Sequence, residues 1–116
     1  MSCGCGSSRT IVVGTDDSVA FQLATDGRAY NFELATEVTC RFITTDAKGS
    51  TGNPVEIFNV GSNDWRSGYG EAVFAAEETA VMEPGTYILE IKILQPAVGT
   101  RIFRTSEIVQ ILPNPV

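Results

Sequence analysis

The chain contains no histidine. That absence removes Ser-His and Cys-His nucleophilic arrangements, the usual general base near neutral pH and the commonest transition-metal ligand. Basic residues are sparse. The 8 Lys and Arg stand against 14 Asp and Glu, giving a net charge of -6, and no five-residue window gathers cations into a cluster. A protein that displaces counterions from a phosphate backbone needs such a cluster, so the composition argues against nucleic acid as a partner. No apolar run approaches the roughly 18–20 residues that span a bilayer, which argues against a membrane partner. The opening "MSCGCGSSRT" has no apolar segment ahead of a cleavage site, and Ser2 stands where myristoylation needs glycine. The expectation is synthesis in a cytosol.

Cysteine is also scarce, with only Cys3, Cys5 and Cys40. An odd count of three does not describe a disulfide scaffold. Cys3 and Cys5 offer two thiolates, whereas a closed structural zinc site needs four ligands. Disorder is therefore the leading reading of the segment 1–8, ahead of oxidation or contact between subunits, with a metal site last. Cys40 alternates with Val38 and Phe42 and reads as a small core residue. The paired carboxylates Asp16-Asp17 and Glu77-Glu78 point to opposite faces of an extended chain and read as solvated turns. Asp16, Asp17 and Asp46 have no spacing of a calcium loop. No catalytic residue, cofactor or metal is assigned.

What the chain does have is alternation at period two, with no sustained helical periodicity. Its 116 residues, 43% apolar and 19% charged, suit one globular domain over 9–116 behind the segment 1–8. Strands are expected at 10–13, 18–24 and 30–34, with Asp26-Gly27 as a tight turn between the last two. A long strand follows at 37–45, then a loop at 46–54 marked by Gly, Asn and Pro. Further strands are expected at 55–60 and 71–76, and a single helical turn at 77–82. The clearest segment is "EPGTYILEIKIL" (83–94). Tyr87, Leu89, Ile91 and Ile93 form one apolar face, while the other carries charge at its middle. After a loop at 95–100, a last strand runs over 101–112 until Pro113 and Pro115 end it.

About seven or eight short antiparallel strands with frequent turns indicate an all-β, immunoglobulin-like β-sandwich, with a small barrel as the alternative. Tyr87 after the Pro84-Gly85 corner is placed to bury its ring and give its hydroxyl to a backbone partner. Trp65, Arg66 and Tyr69 are the residues most suited to an interaction surface, since aromatics and arginine concentrate at binding hot spots. The alternative for Trp65 is a plug at one end of the core. Lys48 and Asn53, in the loop expected over 46–54, join them on the candidate surface, as do Cys3 and Cys5.

Three segments, "SVAFQLATDGRAYNFELATEVTCRFITTDAKG", "GEAVFAAEETAVMEPGTYILEIKIL" and "RTSEIVQI", cover most of residues 15–112. Their order resembles the immunoglobulin-like domains of tailed-phage virions, above all the amino-terminal domain of the phage baseplate upper protein family. The resemblance implies a non-enzymatic structural protein of a bacteriophage particle, assembled in the host cytoplasm. Such a protein would be a head decoration, head-closure, tail or baseplate component. It would contact other virion proteins and form a homo-oligomer, with the segment 1–8 as an arm onto a neighbouring subunit. Standing without the parts that follow this domain in that family favours a small accessory component over a baseplate adaptor. Two rivals from other classes are a carbohydrate- or ligand-binding sandwich that stacks on Trp65 and Tyr69, and a small carboxylate hydrolase.

Overall fold

Alternation builds the central strand. In β8 (Gly85–Gln95), Tyr87, Leu89, Ile91 and Ile93 are buried while Lys92 and Leu94 face out. Period-two patterning of this kind is what a sheet with one packed and one wet face requires. The structure, a computed structural model, describes residues 8–57 and 64–115. β8 pairs antiparallel with β5 (Glu37–Thr44) on one side and β9 (Gly99–Leu112) on the other. β6 (Ser50–Glu56) and β1 (Ser8–Val12) close the sheet, in the order β1-β9-β8-β5-β6.

A second sheet of two strands, β2 (Asp17–Gln22) and β7 (Tyr69–Phe74), covers the inner face. Val19, Phe21, Ala72 and Phe74 bury against Phe42, Leu89 and Ile91 in one cluster. Phe42 on β5 and Phe74 on β7 meet with ring centroids 4.9 Å apart. The third pairing is a small ribbon of β3 (Ala24–Thr25) and β4 (Arg28–Ala29). Its two-residue loop is the expected Asp26-Gly27, both at positive φ, 54° and 76°. That is the backbone such a hairpin demands, and Gly and Asp tolerate it. A single helical turn, α1 (Ala76–Thr79), links β7 to β8.

The fold differs from the sequence reading in several places. The strands are not all antiparallel: β1 runs parallel to β9, Ser8 opposite Ile108 through Val12 opposite Leu112. The first strand begins at Ser8 rather than Thr10. Residues 30–34 do not form a strand, although Tyr30, Phe32 and Leu34 alternate. The Asn31 side chain accepts the Glu33 amide at 2.9 Å and Ala35 N donates to Phe32 O, so the chain turns. As a result Phe32 is buried while Leu34 is 75% exposed.

Residues 50–54, expected in a loop, belong to β6. Between Cys40 opposite Val55 and Phe42 opposite Thr51, the edge strand bulges to absorb Gly52, Asn53 and Pro54. A bulge on an edge strand is where turn-forming residues can sit without ending a ladder. Of the strand expected at 55–60, residues 58–60 lie outside the described residues, as do Cys3 and Cys5.

Candidate interaction surfaces

Two surfaces follow from the register, one on the outer side of each sheet. On the large sheet, Arg41 and Arg104 stand directly across from Glu90 on neighbouring strands. Arg41 Nε donates to Glu90 Oε1 at 2.9 Å and Arg104 Nε donates to Oε2 at 3.2 Å. Glu90 is 7% exposed. A carboxylate that deep persists because both of its oxygens meet a cation, while each arginine keeps part of its surface in water. Lys92 lies farther along β8, opposite Thr39 and Ile102, and makes no ion pair among the described residues. Around it, Leu94 and Ile102 are 37% and 55% exposed.

Lys48 sits at one end of this face, in the turn between β5 and β6. There the Thr44 hydroxyl donates to Asp46 Oδ1 at 2.6 Å and the Lys48 amide to the same oxygen at 3.1 Å. These two bonds hold the Asp46 carboxyl below its ordinary range, the hydroxyl contributing most. Asn53 is exposed on the β6 bulge, so it does not share a loop with Lys48.

On the small sheet, Ser18, Ala20 and Gln22 lie opposite Val73, Glu71 and Tyr69. Tyr69 is 50% exposed and Val73 37%. Asp16, Asp17, Glu71 and Glu78 line a groove of ≈ 610 Å³ that also includes Val73. Each of these carboxylates accepts at least one hydrogen bond, and Asp17 also accepts from Ser18 N at 2.7 Å. Asp16 accepts from Ala76 N, Asp17 pairs with Arg9 at 3.0 Å, Glu71 accepts from Ser18 Oγ, and Glu78 accepts from Ala75 N.

Trp65 and Arg66 form part of a 3₁₀ turn, Trp65–Ser67. Trp65 is half-buried and tilts onto Phe32, with ring centroids 6.1 Å apart, at the margin of the core. Arg66 is exposed and pairs with Glu33. Gly68 ends the turn at φ 79°, and a Cβ there would come within 2.4 Å of the Leu23 carbonyl oxygen. Tyr69 then begins β7 and points outward. Trp65 thus packs against the protein itself, while Tyr69 stands free in the acidic surface.

Sequence reasoning missed the Arg41–Glu90–Arg104 triplet and the Leu94–Ile102 pair. Glu90 was visible as charge in the middle of an outward face. Its partners required the cross-strand register, which no local pattern specifies.

No protein-family model matches the chain, and no curated protein is significantly similar to it. Among solved structures, the fold is similar to the N-terminal domain of phage TP901-1 ORF48. The match has a TM-score of 0.56 and 12% sequence identity, and covers 93% of this chain and 85% of that one. A putative glycoside hydrolase from Bacteroides vulgatus ATCC 8482 aligns with a TM-score of 0.45 and 14% identity, over 92% of this chain but 17% of the hydrolase.

Proposed function

We propose that the chain is a non-enzymatic structural protein of a bacteriophage particle, working through protein–protein contacts as an accessory head or decoration, head-closure, or tail or baseplate component. The observation that carries this reading is the likeness, over nearly the whole chain, to a domain of a phage protein. The resemblance of residues 15–112 to tailed-phage domains points the same way.

An immunoglobulin-like description of the sandwich is supported by the order β9-β8-β5 in one sheet and the β2-β7 pair in the other. It is further supported by Tyr87, at the start of β8, whose hydroxyl donates to Glu83 O at 2.9 Å. The outward faces carry exposed apolar and charged side chains on rigid strands, a suitable footing for contacts with other virion proteins. Copies of the chain contacting one another would make a homo-oligomer, assembled in the host cytoplasm before incorporation.

Incorporation is the test. A tagged copy expressed during infection by the phage that encodes it should co-purify with mature particles through a density gradient. Recovery only in the free protein fraction would overturn the proposal.

A further inference from the structure

The two sheets leave a slot along one side of the sandwich. It is a cleft of ≈ 460 Å³ between residues 19–24, most of them in β2, and residues 103–107 of β9. Its floor is apolar, with Val19, Phe21 and Leu23 buried and Phe103 packed against the core. Both walls are strand edges. Among the described residues β2 pairs with β7 alone. Leu23 N donates to Gly68 O across that pair, so alternation along the antiparallel ladder turns the amides and carbonyls of Ala20 and Gln22 away from β7, on the side of the slot.

On the opposite wall, β1 pairs with β9 from Ile108 to Leu112 and stops, so no described strand lies beside residues 103–106 on that side. β9 also bulges here. Between Arg104 opposite Glu90 and Ile108 opposite Ile88 it carries three residues against one on β8. The Thr105 hydroxyl accepts from Leu89 N at 3.3 Å and donates to Leu89 O at 3.4 Å, replacing the backbone pairing that the bulge gives up. Two such edges facing one apolar floor are a template for a further strand.

β1 identifies the occupant. Ser8 stands opposite Ile108, one residue past the end of the β9 wall, and residues 1–7 upstream of it lie outside the described structure. At ~3.3 Å per residue, five extended residues match the length of that wall, about 17 Å. The same parallel register, continued one for one, sets 3–7 beside 103–107. We propose that residues 1–7 fill the slot of their own chain, prolonging β1 along β9 and pairing their other edge with β2.

The faces of the added strand follow from β1. Ile11 is buried and Arg9 reaches Asp17 on β2, so odd-numbered positions look toward the small sheet. Cys3, Cys5 and Ser7 then line the slot while Gly4 and Gly6 look out. The filled slot joins the two sheets along one side and covers edges that would otherwise pair with any extended chain.

Iodoacetamide labelling of the reduced full chain at about pH 8, read by peptide mapping, tests the assignment. Cys3 and Cys5 should be modified at least ~10-fold more slowly than in the same chain in urea, because reaction waits for local opening. The slowing should not change on dilution, since slot and occupant belong to one chain. Two prolines should each raise the rate at both thiols several-fold. Ala20→Pro removes an amide that β7 does not use, and Gly6→Pro alters no residue of the described strands. Cys40 serves as the internal control and should stay unlabelled in both variants. If Ala20→Pro exposes Cys40 as well, Gly6→Pro decides.

Labelling of Cys3 and Cys5 at the urea rate in the native chain overturns the proposal. So does slowing that disappears on dilution, which would give the slot to the same segment of a second copy. Slowing that survives both prolines overturns it too. Presence of the chain in particles is measured by the incorporation experiment, and neither result stands in for the other.

Discussion

Tyr87 joins two energetic roles in one side chain. Its ring is buried with Leu89 and Ile91, and its hydroxyl donates to Glu83 O at 2.9 Å across the Pro84-Gly85 corner. Tyr87→Phe keeps the ring and should cost about 1 kcal/mol, the net worth of one hydrogen bond. Tyr87→Ala also leaves a cavity and should cost ~3 kcal/mol or more. Urea unfolding of both variants checks this, and equal losses would mean that burial of the ring contributes nothing beyond the hydroxyl.

Cys40 gives a different residue-scale prediction. Burial, and then the nearby carboxylates of Glu78 and Glu56, push its thiol up from the ordinary 9.0 to about 12. The folded protein therefore holds a proton that the unfolded chain releases as pH rises past 9.0. The stability contributed by the raised value is complete below that pH and is lost progressively between 9.0 and about 12. Unfolding free energy should fall with pH in that window more steeply for the parent than for Cys40→Ala. At about pH 8 the thiol is protonated and shielded, so iodoacetamide should modify Cys40 only after denaturant is added. Rapid labelling at Cys40 itself in the native protein, distinguished from Cys3 and Cys5 by peptide mapping, would contradict its placement.

At the scale of elements, the turns decide how the strands meet. Gly68 closes the Trp65–Ser67 turn at φ 79°, and the Leu23 carbonyl oxygen occupies the space that a side chain would need. Gly68→Ala should lower stability by about 1–3 kcal/mol from backbone strain, with the clash in addition. The loss should appear in thermal melts, and an unchanged melt would mean that the turn relaxes freely.

The elements also show what was legible in the sequence. β8 and β5 were readable because Tyr87–Ile93 and Val38–Phe42 alternate against one core, and the Asp26-Gly27 ribbon because its turn chemistry is local. The segment 30–34 was misread because the Asn31 side chain competes with strand pairing, and alternation does not record that competition. β6 was hidden because Gly52, Asn53 and Pro54, strong loop formers, lie in a bulge. The parallel pairing of β1 depends on a partner about a hundred residues away, as Ser8 faces Ile108. Of the candidate surface, Tyr69, Lys48 and Asn53 are exposed and Trp65 is half-buried against Phe32. The acidic groove was hidden because Asp16, Glu71 and Glu78, far apart in sequence, come together only when β2 pairs with β7.

At the scale of the whole molecule, the five-stranded sheet and the β2-β7 pair each bury one face in a shared core and turn the other outward. Each face is built on strands whose inner side chains are locked in the core, so a contact made there costs little ordering entropy. The central claim is that the protein acts by surface contact through these faces. Sedimentation of the unmodified full chain, over a range of protein concentration, tests it most directly. The account predicts that average mass rises above 12.4 kDa with concentration. A mass that stays at 12.4 kDa across the series would contradict it.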